Sequence, residues 1–388
     1  MSILSIIQSF IGLHSRNHKF SDDHHIQHEN FTIEKFREQG TKIALQELSS
    51  SFPSLPVDFF KSIYNNEKSI LRSHRSYILD IESGGSITPS IELILDNYYI
   101  VEEAIKEIKR SFSNRLYKQL PSVRVSGLKV PRIVVLISFY VSHTCCVFSH
   151  EKLVAIVEGF QSVEDLTIGE LKAIPGLLRF FLIDRLQRLL IRVEHSRQMR
   201  QKASDAVNQL LAMDSVSERN SFCNELEAFI KHDTFITFFL LYIKSNLPDL
   251  ESVFDELEKR FKEVGRDLNL VSIEQQKKLN ADSSMISSII DSLRKIDSIQ
   301  WALWIEEVSS INLFLRKNSD YGELDSESRN QYCNIIENLA RRSGCSEMQV
   351  AKKAISMLAD VSVSEKITRP ANIGDFLIGL HSKKLKNK

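Results

Sequence analysis

A chain of 388 residues has room for two or three domains, and its 13 glycines and 8 prolines are too few for the many tight turns of an all-β fold. Fifty basic residues balance fifty acidic ones, which removes whole-chain charge as a reason to bind nucleic acid. At 43% hydrophobic and 26% charged the composition excludes disorder, and five scattered cysteines make no disulfide framework and point to a reducing compartment.

The chain opens with Ile3, Ile6, Ile7, Phe10 and Ile11 on one face of a short amphipathic helix, without the positive start or the cleavage site of a secretory signal. Polar, aperiodic residues from Phe20 to Asn30 predict a flexible link. Phe31, Ile33 and Phe36, then Ile43, Leu45 and Leu48, predict one or two helical turns on either side of Gly40, and Val57 to Ile81 carries helical spacing. Thr88 before Pro89 reads as an N-cap and a first-turn proline, so a helix should run from Pro89 to Ser111. The apolar run Ile133 to Phe148 is 16 residues long and holds Ser138, Ser142, His143 and Thr144, short of the roughly 20 apolar residues of a membrane span; Phe235 to Ile243 is shorter still.

Thr167 and Glu170 have capping-box spacing ahead of a long helix to about Met199, in which Pro175 predicts a kink or break near Ile174. Ser272 with Gln275 and Ser346 with Gln349 repeat the box. Leu247-Pro248 separates a helix over Leu226 to Ile243 from one over Leu250 to Val264. No fixed-period repeat is present. The expected fold is all-α, an irregular multi-helix array in one body or in two packed bundles parting near Asp214 to Ser221. Residues 1–30 would be the amphipathic helix and link, 31–213 and 214–360 helical domains, and 361–388 a basic tail.

Candidate chemistry is sparse. His24, His25 and His28, beside Asp22, Asp23 and Glu29, are the one metal-like cluster, but a structural zinc site needs four fixed ligands and this stretch is polar, so none or only adventitious binding is expected. Cys145-Cys146 next to His143 is better explained as two small buried side chains within an apolar helix than as a nucleophile with its base. Trp301 and Trp304 share a helix face, where packing is expected over stacking on sugar rings. Arg179, Arg185, Arg188, Arg192, Arg197 and Arg200 make the densest basic run. Arg185, Arg188 and Arg192 fall at i, i+3 and i+7, a face suited to carboxylates of a partner or to lipid phosphates, unless it is solvated or paired with Asp184 and Glu194. Glu102-Glu103 and Glu306-Glu307 point apart by about 100° as helix neighbours and cannot flank one bond. There is no phosphate loop, GxGxxG or GxSxG. No catalytic, cofactor-binding or metal residue is assigned, and no cofactor is expected.

Six blocks nonetheless carry a family likeness. Ile87 to Phe112 with Leu116 to Pro121, Val130 to Thr144, Leu166 to Leu189, Ser292 to Arg316 and Ser319 to Ile355 resemble, in order, the N-terminal region of bacterial cyclic β-1,2-glucan synthases. The resemblance covers most of residues 30–380. It implies very large inner-membrane enzymes that build a protein-bound β-1,2-glucan from UDP-glucose, trim it and release it as a ring, with the glycosyltransferase, membrane helices and phosphorylase-like parts beyond the matched region. On that basis the chain is expected to be a cytoplasmic, non-catalytic helical region, peripheral on the inner face of the inner membrane and truncated or split before the catalytic parts. The alternatives are a fragment that itself binds UDP-glucose or glucan, or a free-standing interaction module or relic. Its implied partners are the remaining synthase polypeptide and, weakly, an anionic membrane surface, aided by Lys383, Lys384, Lys386 and Lys388; nucleic acid is not among them.

Two departures from the family pattern are Cys145-Cys146, where a polar or acidic pair is expected, and Cys333, where arginine is usual. Asp96 and Asn97 match the pattern. If buried among their apolar helix neighbours they would need hydrogen-bond partners, which favours a structural polar network over substrate binding.

Overall fold

The computed structural model describes residues 31–45, 55–56, 59–83, 87–111, 117, 119–125, 128–226, 229, 232–263, 267–364 and 373–374. Fourteen helices account for nearly all of them. The all-α expectation holds, with one small sheet added: β1 (Leu55–Pro56) runs parallel to β3 (Leu128–Pro131), and β2 (Ser122–Val125) pairs with β3 antiparallel, Val123 opposite Val130. Among the described residues no helix is long and apolar enough to cross a membrane.

The chain folds as two compact units, each gathered from separate segments. One holds Met1–Ile63, Glu103–Leu182 and Ser292–Lys388, the other Tyr64–Glu102 and Ile183–Asp291.

In the first unit, α1 (Ile33–Leu45) packs on α5 (His150–Gln161). Gly40 does not divide two turns as expected. It lies buried within one helix because a side chain there would meet the α5 backbone, its Cβ 2.8 Å from Phe160 N, while a Cβ at Gly159 would lie 2.8 Å from the Arg37 carbonyl carbon. Thr41 Oγ1 donates to the Gly159 carbonyl at 3.0 Å and Arg37 pairs with Glu158 at 2.9 Å, so this close approach is also tied by polar groups. Helix α4 (Arg132–His143) is apolar and buried on nearly every side, the signature of a core helix rather than of a span.

The rest of this unit is α11 (Trp301–Val308), α12 (Ser310–Asn318), a 3₁₀ turn at Asp320–Glu323, α13 (Ser326–Ser343) and α14 (Glu347–Ser364). They close on a core of Ile311, Leu315, Tyr321, Ile336, Val350 and Ala354. At the start of α14 the capping box forms as read: Ser346 N–H donates to Gln349 Oε1 at 2.9 Å and Gln349 N–H to Ser346 Oγ at 3.1 Å.

The second unit draws on α2 (Phe59–Glu82) and α3 (Pro89–Ser111), whose limits follow the Thr88-Pro89 signal. It also contains α7 (Val216–Glu225), α8 (Asp233–Ser245) and α9 (Leu247–Glu263); two helices form here as expected, but α8 begins at Asp233, the break falls at Asn246, and Leu247 and Pro248 open α9, which leaves helical geometry at Leu250. Phe235, Phe239, Ile243, Leu250, Leu257 and Phe261 fill its core, at helical spacing on α8 and α9.

Helix α6 (Ile168–Leu211) and α10 (Leu268–Ser298) supply residues to both units. Of the kink or break expected near Ile174, the break is absent: α6 continues through Pro175, where Ala173, Ile174, Leu177 and Leu178 are all buried and packing outweighs one lost backbone hydrogen bond. The Ser272 box does not open a helix either. Helix α10 begins a turn earlier, where Asp267 Oδ1 accepts from the backbone N–H groups of Asn269 at 2.7 Å and Leu270 at 3.2 Å.

Candidate functional site

The most chemically loaded region of the first unit starts from a lone arginine at the head of an apolar helix. Arg132, first residue of α4, donates through Nε to Glu170 Oε1 at 2.7 Å and through one terminal nitrogen to Glu170 Oε2 at 2.9 Å and to the Asp165 carbonyl at 2.8 Å. Its other nitrogen meets Glu164 at 2.5 Å. Burial pulls the guanidinium pKa down, but the hydrogen bond and charge of Glu170, then Glu164, carry it above its ordinary value. Glu170 has no exposed surface and closes the predicted capping box, its Oε2 accepting from Thr167 N–H at 2.9 Å while Thr167 Oγ1 accepts from Glu170 N–H at 3.2 Å. One carboxylate thus caps a helix and neutralises a buried cation.

The next backbone donor, Ile168 N–H, goes to Glu347 Oε2 at 2.8 Å, so the first residue of α14 caps the start of α6. Glu347 is buried beside a cleft of about 240 Å³ that Thr167, Glu337, Arg341 and Cys345 also line. Burial, followed by the charges of Glu337 and Glu170, raises its carboxyl to about 7. Lys172 faces Glu337 at 3.5 Å and Asn334 Oδ1 at 2.8 Å.

A third buried carboxylate, Glu306 on α11, receives Arg316 and Arg329 on one oxygen, each at 2.8 Å, and its other oxygen is buried without a hydrogen-bond partner. Nearby, Tyr321 OH donates to Asn312 Oδ1 at 2.7 Å and lies 3.3 Å from Cys333 Sγ. Burial pushes the Cys333 thiol up. The departure at Cys333 therefore places a neutral group against a buried tyrosine and amide. Glu307, by contrast, is exposed.

A third feature is an open cleft of about 450 Å³ lined by Phe148, His150, Lys295, Gln300, Trp304 and Glu307. Trp301 and Trp304 pack edge to face with ring centres 5.3 Å apart. Trp301 donates to the Ile296 carbonyl at 2.9 Å, and Trp304 is only 3% exposed, so the pair packs and does not offer a stacking platform.

In the second unit the predicted arginine face is engaged internally. Arg192 forks onto Asp282 at 2.6 and 3.2 Å, Arg188 meets Asp184 at 3.0 Å, and Arg185 Nε lies 3.5 Å from Met285 Sδ. Asp184 is buried, which raises its pKa against the pull of Arg188 and of Asn66, whose amide donates to it at 3.1 Å. Arg197 pairs with Asp80 and Glu194, and Arg200 donates to Tyr242 OH at 3.1 Å. Asp96 is exposed, so the burial on which its polar network depended is not met; half-buried Asn97 donates to Leu93 O at 2.8 Å on its own helix. In the first unit Arg179 pairs with Asp297 at 2.6 Å.

The cysteine pair departs from expectation. Cys145 and Cys146 lie outside α4, in the turn that follows it, and only Cys146 is buried. Helix α4 stops because both residues take positive φ, 50° and 61°. The Nδ1 of His143 is 2.9 Å from the Phe139 carbonyl, and its ring packs against Phe31 and Phe139. Among the described residues no group of three or more His, Cys, Asp or Glu side chains could hold a metal. The histidine cluster at His24, His25 and His28 and the tail lysines lie outside the described residues.

Sequence reasoning passed over Arg132, Glu306 and Glu347 as a set. A signal existed for the first, a single arginine heading an otherwise apolar helix, which must find a carboxylate if it is buried. For Glu306 the adjacent-pair test considered only shared geometry with Glu307 and not separate burial.

The fold and these buried ionic pairs define an all-helical protein whose charged groups tie its helices together. No family model matches the chain. Over 352 residues it is 41% identical to the cyclic beta-(1,2)-glucan synthase NdvB of Rhizobium meliloti (strain 1021), an alignment that takes in 90% of this chain and 12% of that protein. The chain is homologous to one segment of a cyclic β-1,2-glucan synthase and spans about an eighth of that relative's length.

Proposed function

We propose that the chain is a non-catalytic helical module of a cyclic β-1,2-glucan synthase, corresponding to its cytosolic N-terminal region and acting in assembly or in presenting nascent glucan to the transferase. The observation that carries this reading is the 41% identity to the synthase across nearly the whole chain. The use of its buried carboxylates supports it: Glu170 and Glu306 are both committed to arginines of the same unit, as structural groups are. The partner in this reading is the remaining synthase polypeptide. Because Arg188 and Arg192 already hold carboxylates, contact with an anionic membrane falls to other surfaces and is weak and salt-sensitive. Co-expression of the tagged chain with the catalytic parts of the synthase tests the proposal. Co-purification and restored glucan formation support it, whereas glucan made from UDP-glucose by the chain alone overturns it.

A second reading, direct binding of UDP-glucose or glucan, is favoured by the open cleft that brings His150, Lys295, Gln300 and Glu307 together. Calorimetric titration with each ligand decides it, and Gln300→Ala with Glu307→Ala should abolish any heat observed.

A further inference from the structure

The turn after α4 is unlike any other in the described chain. Thr144 to Val147 forms a four-residue turn closed by Val147 N–H donating to the Thr144 carbonyl at 2.9 Å, with Cys145 and Cys146 at its centre. Both cysteines take left-handed φ, and they are the only non-glycine residues among those described to do so. Residues with a Cβ avoid this region, so two in succession mark a conformation imposed by the surroundings.

Those surroundings are visible. Ser292 Oγ donates to the Cys146 carbonyl at 2.7 Å and accepts from Phe148 N–H at 2.8 Å, so one buried serine of α10 clamps the turn from both sides. The two thiols differ in access, Cys145 being exposed and Cys146 buried. Phe148, just past the turn, lines the open cleft with Trp304.

We infer that Cys145 and Cys146 form a thiol-based redox site that closes reversibly to a disulfide between adjacent residues. Cys145 gives up its proton and attacks a hydroperoxide, ROOH, as the exposed thiolate; the O–O bond breaks, the departing RO⁻ takes up that proton and leaves as ROH, and Cys145 becomes a sulfenic acid. The buried Cys146 thiol then attacks that sulfur, the S–O bond breaks, and water leaves as the S–S bond forms. Two electrons pass from the two thiols to the peroxide. Adjacent Cα atoms lie about 3.8 Å apart, below the usual range for bridged cysteines. The bond is therefore strained and readily reopened by a small thiol, a labile link rather than a structural one. Closing the ring reshapes a turn clamped by Ser292 and is transmitted to Phe148 and the cleft beside Trp304.

The test uses the whole chain treated with hydrogen peroxide, followed by alkylation and mapping of the tryptic fragment Ile133–Lys152, which holds both cysteines and no other. The expected result is loss of two hydrogens from that fragment, a fall in titratable thiols from five to three, and recovery of both with dithiothreitol. With Cys146→Ser, a sulfenic acid at Cys145 accumulates and is trapped by dimedone; with Cys145→Ser, nothing is trapped in this fragment. Emission from the two tryptophans, Trp301 and Trp304, shifts with closure. An unaltered fragment, oxidation confined to Cys223, Cys333 or Cys345, or an intermolecular disulfide overturns the site. A disulfide formed with unchanged emission overturns its link to the cleft. Should either serine variant fail to fold, mapping of the wild-type fragment still decides the central question.

Discussion

Replacing Glu170 by methionine leaves the Arg132 guanidinium buried at 8% exposure with its bidentate partner gone. Removing one member of a buried ion pair costs about 3–5 kcal/mol. Glu164, which is largely exposed, still holds one guanidinium nitrogen, so the lower end of that range applies. Loss of the side-chain acceptor at Thr167 N–H adds about 1 kcal/mol. The expected destabilisation is about 4 kcal/mol, and at roughly 2–4 °C per kcal/mol the melting temperature falls by about 8 °C or more. Urea denaturation followed by far-ultraviolet circular dichroism measures it. Adding Arg132→Met removes the stranded cation and should restore most of the loss, since an apolar pair of similar volume replaces a buried ion pair at little net cost. The reasoning is refuted if Glu170→Met costs less than about 1 kcal/mol, as an exposed pair would, or if the double variant is no more stable than the single one.

Glu347 titrates near 7 in the folded chain against 4.5 for an ordinary glutamate, so the stability it contributes is full below about pH 4.5 and is lost as the pH rises through 7. Glu347→Gln, neutral throughout, should therefore gain on the wild type between those limits in urea midpoints; a difference that does not change with pH counts against the assignment. Gly159→Ala drives a Cβ into the α1 backbone at Arg37 and should cost about 1–3 kcal/mol or more, read by thermal melting; a neutral outcome would mean that the two helices do not approach so closely. Gly344 ends α13 at φ +68° with open space around it, so Gly344→Ala should lose about 1 kcal/mol through backbone strain alone, with Gly344→Asn losing less in the same assay.

Local signals were read correctly where the relevant chemistry was also local. The boxes at Thr167 and Ser346 and the limits of α3 follow from hydrogen bonds that span three residues or fewer, together with a proline's fixed φ. The Ser272 box failed because Asp267 offers the same backbone donors an acceptor one turn earlier, and spacing does not rank two competing caps. A break at Pro175 and a division at Gly40 fail for a related reason: both residues disfavour helix by a few kcal/mol at most, and burial of their neighbours exceeds that.

The linear sequence by itself determined that this protein is helical, that its longest apolar run is too short and polar for a membrane span, and that it shares ancestry with part of a glucan synthase. Each follows from composition, periodicity or extended identity, which a linear string carries. Tertiary structure alone decided which charges are buried and with whom. Glu170 and Arg132 are 38 residues apart, Ile168 and Glu347 179, and Arg192 and Asp282 90. It also decided that each compact unit is gathered from separated segments, and that Cys145 and Cys146 lie in a turn instead of a helix. The physical reason is that burial and ion pairing depend on what the rest of the chain brings alongside a residue, and helical periodicity marks an apolar face without naming the surface it meets.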